Sequence, residues 1–191
     1  MNMSLRQKVQ AFAVFSASVL VAVPALSAGQ FQVSSDDVKN GRLVNEQVLN
    51  GFGCNGGNVS PHIVWSGVPK GSKSLLVTIH DPDAPTDGLG WTHWVIANIP
   101  PTITELAKGI SIDSSKLPAG AVQTNTDFGK AGYGGPCPPV GSAHRYIVTV
   151  NALKVEKLAV DANSTPALVA FMANGQSLGK ASFTSLYQRA N

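Results

Sequence analysis

Of the four histidines in this 191-residue chain, two stand beside stiff loops that also carry a carboxylate or a phenol. Asp81-Pro82-Asp83-Ala84-Pro85 precedes His93, and Gly134-Gly135-Pro136-Cys137-Pro138-Pro139 runs into His144-Arg145-Tyr146. An imidazole near its ordinary pKa of about 6.5 donates from both nitrogens when charged. A charge-assisted hydrogen bond to an anion is worth about 1.5–3 kcal/mol, so a few give millimolar to micromolar affinity. The two stretches read as halves of one small anion pocket. The alternative is a pair of satisfied core histidines.

The loops are stiffer than turns require. Pro82 and Pro85 fix their own φ and push Asp81 and Ala84 towards extended backbone, which presents the carboxylates with little freedom. Pre-organisation of that kind lowers the entropic cost of binding. One of Asp81 and Asp83 is expected to face a ligand and the other to accept from loop amides, as turn aspartates do; the alternative makes both structural. In the second loop Gly132, Gly134 and Gly135 let backbone approach a ligand and leave amide donors free, while Pro136, Pro138 and Pro139 hold the path. That combination suits a phosphate or a carboxylate.

The elements that must position these groups follow a period of two. Ser74–Ile79, Trp91–Ile99 and Arg145–Val150 are β-branched or aromatic runs bounded by Gly or Pro and read as buried strands. Weaker strand candidates are Phe31–Ser34, Leu43–Leu49, His62–Trp65, Ala121–Thr126 and Ala181–Tyr187. One helix is expected over Thr165–Ala173, with Pro166 in its first turn and Asn174-Gly175 as its stop. Many strands with one or two short helices predict an all-β fold, a sandwich of two antiparallel sheets. Strict alternation would put Trp91, His93 and Val95 on one face and His144, Tyr146 and Val148 on one face.

Residues 1–28 read differently. Arg6 and Lys8 precede an uncharged apolar run from Ala11 to Val23, and Pro24-Ala25-Leu26-Ser27-Ala28 offers small residues for cleavage. This is the three-part layout of a secretory signal, and the run is short for a membrane span; the alternative is an uncleaved N-terminal anchor. Cleavage after Ser27 or Ala28 would leave residues 29–191 as a single domain in the periplasm or outside the cell. Losing Arg6 and Lys8 lowers the formal charge from +3 to +1, with no basic stripe for a nucleic-acid partner. In an oxidising compartment Cys54 and Cys137 are able to form a bridge; the alternative is two buried small hydrophobes.

Five motifs then fall into a recognisable order: Phe52-Gly-Cys-Asn-Gly-Gly-Asn-Val-Ser-Pro61, the Asp81–Pro85 box, Trp91-Thr-His-Trp94, Gly135-Pro-Cys-Pro-Pro139 and His144-Arg-Tyr146. The chain resembles the phosphatidylethanolamine-binding proteins, and among them the bacterial, Raf-kinase-inhibitor-like branch. The resemblance implies a β-sandwich with a small pocket for phosphate-like anions, formed here by Asp81, His93, the Gly135–Pro139 loop, His144 and Tyr146. Two departures stand out. Thr86-Asp87-Gly88-Leu89-Gly90 is short and lacks the tyrosine that a longer eukaryotic segment contributes, and Tyr187 lies in an expected strand where eukaryotic members have a helix. The resemblance therefore carries no support for kinase regulation.

Enzyme readings fare worse. Gly175-Gln-Ser177-Leu-Gly179 matches a nucleophile-elbow pattern, but it follows a helix, precedes a strand and has no histidine after it. No HExxH or comparable spacing supports a metal site, and His62 lies outside the motifs as a surface or packing residue. The expectation is a non-catalytic protein without cofactor that binds a small phosphate-like or carboxylate ligand. Its site would comprise Asp81, Asp83, His93, Gly135, Pro136, Pro138, Pro139, His144 and Tyr146. The second expectation is a protein-interaction module, such as a protease inhibitor, acting through rigid loops like Thr86–Leu89; a homodimer is left open.

Overall fold

The computed structural model describes residues 29–190, so the expected signal segment lies outside the described residues. The strands are β1 (Gln32–Ser34), β2 (Asn50–Gly51), β3 (Cys54–Asn55), β4 (Ile63–Ser66), β5 (Ser74–Asp81), β6 (Trp91–Ile99), β7 (Glu105–Leu106), β8 (Val122–Gln123), β9 (His144–Leu153) and β10 (Ser177–Tyr187). One helix, α1 (Pro166–Asn174), precedes β10. Every pairing is antiparallel, in a five-stranded sheet of order β10-β9-β5-β6-β8, a three-stranded sheet β1-β4-β7 and the hairpin β2-β3. The all-β expectation holds.

Two hydrophobic layers result. Between the sheets, Leu75, Val77 and Ile79 of β5, Trp94 and Ile96 of β6, and Tyr146, Val148 and Val150 of β9 pack on Ile63, Trp65 and Leu106 of the smaller sheet. On the outer face, Leu76, Val95, Ala97 and Leu153 are covered by Val169 and Ala173 of α1 and by Leu158. Thr165 caps α1 by accepting from the Leu168 amide at 3.2 Å, as its Thr-Pro start predicts.

Two expectations need correction. Leu43–Leu49 is a pair of turns closed by Gln47 N–H to Val44 at 3.0 Å and Val48 N–H to Asn45 at 3.2 Å. Its polar Asn45-Glu46-Gln47 centre favours turns, and its apolar ends are buried by packing rather than by a ladder. Alternation also fails in β6. Ile79 pairs with Trp94 and His80 with Thr92, leaving His93 as the extra residue of a β-bulge. The bulge turns His93 and Trp94 both towards the inter-sheet side, while Val95 faces α1. In β9 the alternation is regular, and Tyr146 and Val148 share the inner face as expected.

Candidate functional site

At one end of the inter-sheet layer, the last residue of β5 (Asp81), the bulge residue of β6 (His93) and the first residues of β9 (His144, Tyr146) meet under the two stiff loops. They form the polar floor of a cavity of about 150 Å³. Its walls are apolar: Leu49, Phe52, Ala84, Pro85, Trp91, Phe128, Cys137, Pro138 and Pro139. The floor is fixed from behind. The His144 Nδ1–H donates to Asp81 Oδ2 at 2.8 Å, and the other Asp81 oxygen accepts from the Asp83 amide at 2.8 Å. Asp81 is thus a buried carboxylate with both oxygens engaged, the condition under which a buried charge is tolerated. His144 keeps its Nε2 for another partner.

His93 is held by a different acceptor. Its Nδ1–H donates to the Gly134 carbonyl at 2.6 Å, and burial pulls its pKa down to about 4 against the opposing pull of that carbonyl and of Asp81. At neutral pH it is an uncharged ring whose Nε2 accepts. The picture of two charged histidines therefore changes: His93 supplies an acceptor. Its ring packs edge-on against Tyr146 at 5.1 Å and Phe128 at 5.4 Å. Burial and the nearby Asp81 charge push the Tyr146 phenol above its usual range, so it stays a donor. Its hydroxyl lies near Asp81 but makes no well-formed hydrogen bond among the described residues, and the buried Trp91 Nε1–H makes none either. Buried polar atoms are overwhelmingly paired in folded proteins, and here two unpaired donors belong to side chains lining one small cavity.

Asp83, Gly135 and Pro136 lie outside the lining. Adjacent residues of β9 point to opposite faces, so while His144 takes Asp81 inside, Arg145 takes Asp83 outside. Arg145 Nη2 and Nε contact the two Asp83 oxygens at 2.6 and 2.9 Å, and the Arg145 amide donates to the same carboxylate at 2.9 Å. This pairing holds the Asp83 carboxyl at a pKa of about 2. The proline-stiffened box is thereby stapled to β9 twice.

The glycine loop serves the site by packing. Two of the three amides expected to be free are engaged, Gly134 N–H with the His93 carbonyl at 2.9 Å and Gly135 N–H with Asn58 Oδ1 at 2.8 Å. Glycine is required at position 135 because a Cβ there would lie 2.1 Å from the Gln47 carbonyl oxygen and 2.6 Å from the Leu49 amide nitrogen. Pro136 lines a small inner void with His93 and Tyr146. The loop's remaining anchor is covalent: Cys137 is bridged to Cys54 of β3, with Cα atoms 6.0 Å apart. Leu49, Phe52, Ala84, Pro85, Trp91, Phe128 and Cys137 line the cavity although the expected set omits them, and of these Phe128 lies farthest from any motif or expected element. Nothing but a lone aromatic in a polar Thr126–Lys130 turn marks it.

The floor thus offers an acceptor, an imidazole backed by a carboxylate, and two neutral donors. The lining includes no serine, threonine or free thiol, and among the described residues no three His, Cys, Asp or Glu side chains are grouped to hold a metal.

Comparison with known proteins gives a consistent picture. The family model described as phosphatidylethanolamine-binding protein matches residues 34–188. The chain is 49% identical over 183 residues to the UPF0098 protein YbcL of Escherichia coli, covering 94% of each. It is 46% identical over 154 residues to YbhB of the same organism, covering 80% of this chain and 97% of that protein. The crystal structure of Escherichia coli YbcL superposes with a TM-score of 0.80 at 50% identity, covering 83% of this chain and 98% of that one. A homologue from Chlamydia trachomatis superposes with a TM-score of 0.70 at 29% identity, covering 83% and 97%.

Proposed function

Because the chain belongs to the phosphatidylethanolamine-binding protein family, we propose that it binds the anionic group of a small ligand non-covalently in the cavity of Asp81, His93, His144 and Tyr146. One observation carries the reading: polar groups from three strands converge on a cavity of about 150 Å³ and leave the Tyr146 hydroxyl unpaired there. The donor and acceptor pattern suits a singly protonated phosphate or phosphonate. Its hydroxyl donates to the neutral His93 Nε2, and its charged oxygens accept from Tyr146, Trp91 and the His144 imidazole that Asp81 backs. A carboxylate uses the same donors but leaves His93 unmatched. We read the role as binding rather than turnover, a reading supported by a lining without serine, threonine or free thiol.

We place this activity outside the cytoplasm, in the periplasm or beyond. The signal-like layout of residues 1–28 supports export, and so does a structural disulfide, which persists in oxidising compartments.

Calorimetric titration with phosphoethanolamine and with inorganic phosphate, at pH 6 and pH 8, tests the reading. Phosphate monoesters lose their second proton near pH 6, and the dianion has no proton left for the His93 Nε2, so affinity should fall as pH rises. It should vanish in His144→Ala. No heat with either compound at millimolar concentration would sink the proposal. A second reading, docking of a protein such as a protease, is favoured by the 82% exposure of Leu89 on the short 86–90 loop. That activity would survive His144→Ala.

A further inference from the structure

The anion reading leaves the setting of Phe52 unexplained. Phe52 sits in the Gly51-Phe52-Gly53 turn between β2 and β3 at φ +53°, the left-handed region that L side chains adopt at a cost. Its side chain is 71% exposed, so no core burial offsets that cost. Asn or Gly would serve this turn better. Yet the turn is held firmly: Arg189 donates to the Phe52 carbonyl at 3.3 Å and to the Gly53 carbonyl at 2.7 Å, and the next residue, Cys54, is bridged to Cys137. Backbone strain that the surroundings enforce is concentrated at functional sites. Here it delivers an aromatic ring to the cavity wall, stacked on Phe128 with centroids 5.9 Å apart. Phe128 in turn meets Trp91 edge-on at 5.4 Å. The polar floor thus lies beneath a rim of rings and prolines with no charged group among them.

We propose that Phe52 is a specificity-determining residue: with Phe128 and Pro138 it receives a flat apolar or aromatic group attached to the bound anion. The favoured ligand class is an aryl phosphate or phosphonate, ahead of inorganic phosphate and short amino-alkyl phosphates. This inference rests on the anion reading above and adds the other half of the ligand. A primary ammonium would find ring faces at this rim but no carboxylate in exchange for its strong hydration, whereas an apolar ring leaves water there and gains contact area.

The test is calorimetry at pH 6 with phenyl phosphate, phosphoethanolamine and inorganic phosphate, on the parent chain and on Phe52→Asn, a residue that tolerates the left-handed turn. Phenyl phosphate should bind about tenfold more tightly than either other compound, the size expected for one well-placed aromatic contact with its burial. Phe52→Asn should bring the ratio of phenyl phosphate to inorganic phosphate affinity down to about one and not lower the melting temperature. Phosphate binding without an aryl advantage in the parent chain, or an advantage that survives in Phe52→Asn, overturns the role of Phe52 alone. Failure of all three compounds to bind overturns the anion reading and this inference together.

Discussion

Two concave regions lie on opposite faces of the five-stranded sheet, and the smaller one gathers the converging polar side chains. The outer groove, bounded by α1 and the 86–90 loop, encloses about 980 Å³; the inner cavity encloses about 150 Å³. Each holds a histidine on neighbouring strands. In the groove, His80 is half-buried and makes one long contact, Nδ1 to Thr92 Oγ1 at 3.3 Å. In the cavity, His93 and His144 are buried, each ring fixed through Nδ1 by a short bond to an acceptor, at 2.6 and 2.8 Å. Volume is therefore a poor guide to a site here. What distinguishes the cavity is that Asp81, His93 and His144 on its floor are each held from behind by a hydrogen bond, which is the structural meaning of pre-organisation.

The comparison is broken most severely through the disulfide, since the cavity loop is cross-linked and the groove loop is not. Cys54→Ser with Cys137→Ser should lower unfolding free energy by about 4 kcal/mol, the chain-entropy value for a bridge spanning this much sequence. Cys54 and Cys137 are 83 residues apart. Anion affinity should fall with it, because Pro138 and Pro139 lose their tether to β3. Urea denaturation and phosphate titration of the oxidised chain and the double variant give both numbers. Unchanged affinity would mean that prolines alone hold the wall.

The next largest effect sharpens the contrast between buried and half-buried imidazoles. The His93 pKa is about 4 in the fold against an ordinary value near 6.5, so between these pH values the unfolded chain holds more protons than the folded one. Stability is then full above about pH 6.5 and declines as pH falls, by about 3 kcal/mol at pH 4. His93→Asn, which keeps an N–H for the Gly134 carbonyl and cannot titrate in this range, should lack that component. Denaturation midpoints of both proteins at pH 7, 5.5 and 4 decide it; parallel pH profiles would mean that His93 is not held neutral. The Asp83–Arg145 pair acts in a lower window. Its carboxyl at about 2 adds stability that is present above the ordinary carboxylate range and lost only as pH falls through 2. The pair is largely solvent-facing, so its share is small.

The same contrast explains what could be read in the sequence. Strands β5, β6 and β9 were legible because β-branched runs between Gly and Pro have few other uses, and the site was legible as a constellation because Asp81, His93, His144 and Tyr146 all sit at the ends of those strands. The orientation of His93 was not. A bulge is set by pairing between strands, and nothing in Trp91-Thr-His-Trp94 marks the residue that will be left unpaired. The role of the glycine loop was misjudged for a related reason: glycine signals close approach of backbone, but not to what, and Gly135 approaches the 47–49 segment rather than a ligand. That segment itself reads as a strand, because burial of Leu43 and Val48 by packing leaves the same apolar signature as burial in a sheet.

The smallest effect is the one that most directly tests whether convergence, and not the presence of a histidine in a hollow, defines the site. His80 precedes Asp81 on β5 and faces the groove, so His80→Ala removes an imidazole next to the cavity in sequence but across the sheet from it in space. Its one hydrogen bond is long and half-exposed, and a substitution there should change stability by no more than about 0.5 kcal/mol. Phosphate affinity at pH 8 should stay within about twofold, the same free energy expressed as a binding constant. A loss comparable to that of His144→Ala would show that the groove side of the sheet takes part in recognition. The two regions would then be one coupled site joined through Trp91, the side chain that lines both.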